Sequence, residues 1–213
     1  MSNVTRRLPI YLVLDCSSSM AGEPIEAVKQ GVVLLTTELK GAPHTVEQAY
    51  LSVITFDSSA RQVGPLTELM SFREPELRAS GATSMGAALN VLNDSIRKEV
   101  KRSTAEQKGD WKPLVFLMTD GQPTDQPVFD EAAARLRKEN RAMYVALAAG
   151  SQARPDVLKV LTDNVLMMST LTGESINACF QLFSTLTQRV SERPGQANQL
   201  FQVSIPAEVR MAP

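Results

Sequence analysis

Residues 8 to 14 read LPIYLVL, and the five that follow read DCSSS. An apolar run of that length with no polar alternation is the pattern of a strand covered on both faces, as in a parallel sheet. Parallel strands need crossover connections, so this one stretch confines the chain to alternating strands and helices. It also places Asp15, Ser17 and Ser19 at the carboxyl end of the strand, the edge where open α/β sheets bind their ligands. The three side chains offer only oxygen, one of them ionised. That donor set suits a hard cation, magnesium, manganese or calcium.

The rest of the chain keeps the alternation. Ile25, Val28, Val32, Leu35 and Leu39 mark the buried face of a helix that Gly41 ends. Tyr50 to Phe56 reads as a second strand, stopping at Asp57-Ser58-Ser59. Arg61 to Val63 reads as a short edge strand turned by Gly64-Pro65, and Leu66 to Ser80 as irregular. After Gly81-Ala82-Thr83, the residues Met85, Leu89, Leu92, Ile96 and Val100 share one helix face. Pro113 to Met118 is an apolar strand ending at Thr119-Asp120-Gly121. Pro127 to Asn140 is a helix, Ala142 to Ala149 a strand, Pro155 to Leu161 a short helix and Val165 to Met168 the last central strand. Ile176, Cys179, Phe180, Phe183, Leu186 and Val190 line a final helix. The expected architecture is α/β: a Rossmann-like three-layer sandwich with a mainly parallel sheet between helices. Residues 1–193 form the domain and 194–213 a C-terminal tail, in which Leu200, Val203 and Ile205 either pack on the domain or extend a sheet edge.

Composition narrows the function. The formal net charge is −1, which argues against a nucleic-acid binder driven by phosphate contacts. Cys16 and Cys179 are expected as buried, reduced thiols rather than a disulfide or zinc site. Arg6 and Arg7 before the first strand faintly mimic a secretory signal, but the apolar run contains Pro9, ends at Asp15 and lacks a small-residue cleavage site. No stretch is long enough to span a membrane. The expected location is cytoplasmic.

Three separated elements, Asp15-x-Ser17-x-Ser19, the threonine of Gly81-Ala82-Thr83, and Thr119-Asp120-Gly121, resemble the metal-ion-dependent adhesion site of von Willebrand factor A domains. Their order and strand context match that family up to about Val190. The opening Leu8 to Met20 and the compact length also look like the TerY group of tellurite-resistance proteins. The resemblance implies that Ser17, Ser19 and Thr83 offer hydroxyls to a magnesium ion, with manganese or calcium as substitutes. Asp15 and Asp120 act through water or hold the serines, and Cys16 and Ser18 face away. A protein partner then supplies an acidic residue to the ion, and the TerY likeness implies a kinase or phosphatase alongside it. The cysteine-rich C-terminal domain of some TerY proteins has no counterpart here.

Plainer roles compete with these. Asp and Ser after a strand also serve as turn and helix-capping residues. Asp57 is expected in a turn, and Asp125 as the cap of the helix begun at Pro127. His44, the one histidine, is expected in a solvated loop. Trp111 should pack at the end of the sheet, Met167 and Met168 should fill the core, and Thr119 should support Asp120's neighbourhood from behind. The alternative function is a magnesium-dependent phosphohydrolase of haloacid-dehalogenase type, which also places an Asp after its first strand. That chemistry normally needs a second Asp two residues later, and Ser17 stands there.

Overall fold

The computed structural model describes residues 6–150, 152–193 and 204–213. Within them lies one seven-stranded sheet: β1 (Leu8–Asp15), β2 (Ala49–Phe56), β3 (Ala60–Glu68), β4 (Leu114–Thr119), β5 (Met143–Ala149), β6 (Val165–Met168) and β7 (Arg210–Met211). Their spatial order is β3-β2-β1-β4-β5-β6-β7. The pairs β1–β2, β1–β4, β4–β5 and β5–β6 are parallel, while β3 and β7 are antiparallel edges. Every residue of β1 is buried, as its apolar run requires.

The helices are α1 (Glu23–Lys40), the single turn α2 (Pro43–Val46), α3 (Met85–Glu99), α4 (Gln126–Glu139), the short α5 (Pro155–Leu158) and α6 (Gly173–Glu192). Period-two alternation in β1 divides the core between two layers. Leu8, Ile10, Leu12 and Leu14 pack with α1 and α6, whereas Tyr11 and Val13 pack with α3 and α4. In the first layer Phe180 of α6 lies against α1 so closely that a Cβ at Gly31 would sit 2.1 Å from its ring. Phe116 of β4 meets both Phe183, stacked at 4.6 Å, and Phe180, edge-on at 5.8 Å.

Two expectations are corrected here. β3 does not turn at Gly64-Pro65 but runs on to Glu68 with a shift of register near Gly64. An edge strand tolerates proline, because one side of its ladder has no partner for the missing N–H. His44 lies in α2 rather than in a loop, though it is exposed. In the tail, Leu200 and Val203 fall outside the described residues. Val209 is buried in the first layer and Ile205 packs against it. Arg210 and Met211 pair with Met167 and Leu166 at the sheet edge.

Candidate metal centre

The strand register builds the site. β1 and β4 pair in parallel with Leu14 opposite Met118, so Asp15 and Thr119 emerge side by side. The Thr119 hydroxyl donates to Asp15 Oδ2 at 2.6 Å, and the Ser17 backbone N–H donates to Asp15 Oδ1 at 2.8 Å. Asp15 thus fixes its own loop in an Asx turn while being held by the neighbouring strand. Ser19 Oγ donates to Asp120 Oδ1 at 2.8 Å. Having given its proton there, Ser19 accepts from Ser17 Oγ, 3.0 Å away. Asp15, Ser17, Ser19, Asp120 and Thr119 therefore form one connected polar cluster drawn from the ends of β1 and β4.

Thr83 reaches this rim through its loop. Ser18 donates to Gly81 O from both its backbone N–H (3.0 Å) and its hydroxyl (2.9 Å). On the other side, Thr124 N–H donates to Thr83 O at 2.9 Å, and a Cβ at Gly121 would lie 3.6 Å from Thr83 Oγ1. Thr83 is 8% exposed, and its side chain lies beside Gly121 of the third motif. Ser58, which the sequence did not single out, ties the same loop to β2 by accepting from Ala82 N–H at 3.0 Å. Its only signal would have been a partner 24 residues away.

Asp57 is a turn residue, as expected. Its Oδ1 accepts from the Ser59 N–H at 2.8 Å. Asp125 is different. It stands before α4, but its carboxylate makes no capping bond to that helix. Instead it accepts from Gly86 N–H at 3.0 Å and Ala87 N–H at 2.9 Å, in the first turn of α3. Helix α3 needs this, because Ser84 at its N-cap makes no side-chain cap and its first turn holds no acid.

The electrostatics of the rim are unbalanced. Asp15 and Asp120 are 1% and 5% exposed, and among the described residues no Lys or Arg forms an ion pair with either. Burial pushes both carboxyls above the ordinary carboxylate range. For Asp15 the bonds from Ser17 and Thr119 pull back and the nearby Asp120 charge adds to the rise; for Asp120 the Ser19 bond pulls back. Two buried acids without a cation are costly, and a divalent ion would offset that cost. The oxygen spacing fits one. Ligands at right angles around magnesium, with bonds of about 2.1 Å, stand about 3.0 Å apart. The Ser17 and Ser19 hydroxyl oxygens are 3.0 Å apart. Among the described residues no group of three or more His, Cys, Asp or Glu is placed to hold a metal, so any such ion depends on the hydroxyls. Cys16 points into the core and its thiol is pushed up to about 12 by burial, which keeps it out of this chemistry.

The phosphohydrolase alternative finds no support. Where it needs a second catalytic Asp, Ser17 is buried and its N–H is held by Asp15.

A family model, the von Willebrand factor type A domain, matches residues 10–178. An uncharacterised protein of Synechocystis sp. is 34% identical over 119 residues, covering 55% of this chain and 26% of that protein. The chain thus spans about a quarter of that relative's length. Among solved structures, a von Willebrand factor type A protein from Catenulispora acidiphila has a TM-score of 0.66 at 17% identity, over 86% of this chain and 43% of that one. Proximal thread matrix protein 1 from the mussel byssus, with a zinc-occupied MIDAS motif, has a TM-score of 0.61 at 21% identity, over 84% and 47%. The pilus adhesin SpaC of Lactobacillus rhamnosus GG has a TM-score of 0.69 at 15% identity, over 89% and 31%. At these identities the likeness is one of fold. No helix among the described residues is long and apolar enough to cross a membrane.

Proposed function

We infer the function from the premise that this chain belongs to the von Willebrand factor type A domain family, a family of metal-dependent interaction modules. The domain is a non-enzymatic protein-binding module whose binding depends on a divalent cation at the rim of β1 and β4. Ser17, Ser19 and Thr83 hold the cation through their hydroxyls. Asp15 and Asp120 stand behind them, orienting the hydroxyls and supplying negative charge. The observation that supports this reading is the pair of buried carboxylates, Asp15 accepting from the Thr119 hydroxyl and Asp120 from the Ser19 hydroxyl, both lacking a cationic partner among the described residues.

When bound, the ion offers an electrophilic position to an outside carboxylate oxygen. The hydroxyls of Ser17, Ser19 and Thr83 are neutral, so they would leave a cation's charge uncompensated and favour an anionic ligand from a partner. We take the ion to be Mg²⁺, with Mn²⁺ or Ca²⁺ as substitutes, because the donors are all oxygen. The partner contributes a Glu or Asp. The finer assignment, a cytoplasmic tellurite or stress-resistance system with an associated kinase or phosphatase, rests on the resemblance of the Leu8 to Met20 region to the TerY group. The body of the interaction unit is residues 1–193, and the 194–213 tail adds Val209 to its core and β7 to its sheet.

Titration calorimetry with Mg²⁺, Mn²⁺, Ca²⁺ and Zn²⁺ on the wild type and Asp15→Ala tests the metal. Saturable Mg²⁺ binding lost in the variant is the expected result, and equal binding by both proteins would reject the site. A pull-down from the source cell with and without chelator, followed by fractionation for the captured partner, tests the rest.

A further inference from the structure

We propose that Asp125 is a positioning residue for the metal centre, clamping the Thr83 loop against the Asp120 loop. This rests on the reading of the rim as a metal site. The two loops come from different crossovers and share no strand. What joins them is a short set of contacts. The Asp125 carboxylate accepts from the second and third residues of α3, Gly86 at 3.0 Å and Ala87 at 2.9 Å. One residue earlier, Thr124 N–H donates to Thr83 O at 2.9 Å. The Asp125 backbone carbonyl accepts from Val128 and Phe129 N–H, so the same residue starts α4. It binds the first turn of α3 with its side chain and the first turn of α4 with its main chain.

The packing around it is tight. A Cβ at Gly86 would lie 2.4 Å from Phe129 N, 2.7 Å from Val128 C and 2.9 Å from Asp125 Oδ2. Only glycine lets the two helix starts approach this closely. The arrangement also answers a local deficit. The N–H groups of a first turn need acceptors, and a negative charge there is favoured by the helix dipole. With Ser84 making no side-chain cap, α3 takes its cap from a residue 39 positions away. The helix that presents Thr83 is thereby registered to the strand end that presents Asp120. Asp125 has no metal-binding role of its own. It sets the distance between groups that do.

The test measures Mg²⁺ affinity by calorimetry, and unfolding in chelator, for wild type, Asp125→Asn, Asp15→Ala and Asp110→Asn. Asp110 pairs with Arg7 at 2.6 Å, before β1 and β4 begin, so its variant controls for stability loss at the opposite end of the sheet. An amide at 125 keeps the shape but cannot accept from both N–H groups. The expected result is a fall of about tenfold in affinity for Asp125→Asn, with Asp110→Asn at the wild-type value. Wild-type affinity in Asp125→Asn, with binding abolished in Asp15→Ala, would overturn the clamp and leave the metal site standing. Equal losses in Asp125→Asn and Asp110→Asn would overturn it as a mere stability effect. Unchanged affinity in Asp15→Ala would reject the metal reading and this inference with it. Hydrogen exchange on the wild type decides the matter if Asp125→Asn does not fold. Mg²⁺ should slow exchange at the Gly86 and Ala87 amides, and protection at Ser17 without any at those two would overturn the clamp.

Discussion

Asp15 concentrates the chemistry of this molecule at one side chain. It is almost completely buried, accepts from Ser17 and Thr119, and has no positive partner among the described residues. Replacing Asp15 or Asp120 by Ala should weaken metal binding at least tenfold while the fold survives, because the rim lies outside the two apolar layers; calorimetry and circular dichroism read the two effects. Without metal, the Asp15 carboxyl lies above its ordinary range because it is buried. A folded-state pKa above the unfolded one means that the carboxyl's contribution to stability is present at acid pH and lost as pH rises through the folded value. In chelator, the stability of Asp15→Asn relative to wild type should therefore increase from pH 4 to pH 7. Denaturant unfolding at both pH values checks this, and a flat difference would show that Asp15 titrates in the folded protein as it does in the unfolded chain.

At the scale of elements, the weight falls on the layer formed by α1, β4 and α6. Phe180 fits against α1 only because position 31 has no side chain, and it meets Phe116 edge-on. Phe180→Ala should cost about 3–5 kcal/mol through lost burial and the cavity left behind. Gly31→Val should also destabilise, by forcing α1 and α6 apart. Urea unfolding measures both. Both substitutions act on the packing of α1 against α6, so Mg²⁺ affinity of the folded fraction should stay at the wild-type value. The edge strands carry less: β7 is two residues long and both are exposed.

The whole molecule places its acids and hydroxyls at the carboxyl ends of β1 and β4 and on the loop entering α3, while Arg7 and Asp110 pair at the other end of the sheet. Binding of an identified partner should require Mg²⁺ and fail in chelator, and one Glu→Gln or Asp→Asn change on the partner's contact surface should abolish it. Equal affinity with chelator would show that the interaction runs elsewhere. The purified domain should not hydrolyse phosphate esters above background. Turnover that disappears in Asp15→Asn would contradict the non-enzymatic assignment.

The chain pattern alone revealed the layered α/β architecture, because a strand buried on both faces and a helix with one apolar stripe leave local signatures of different period. It also placed Asp15, Ser17, Ser19 and Asp120 at strand ends, where an apolar run stops at an acid. The course of β3 past Pro65 was not legible, since its position at the edge, which makes proline harmless, is a property of the assembled sheet. Nor was the role of Asp125. Its sequence position before α4 suggested a local cap, whereas its carboxylate is used by α3. Capping requires only an acceptor near unpaired N–H groups, and the acceptor's distance along the chain does not enter that energy. Only the tertiary structure brought those groups within 3.0 Å, because only it decided which two helix starts lie together.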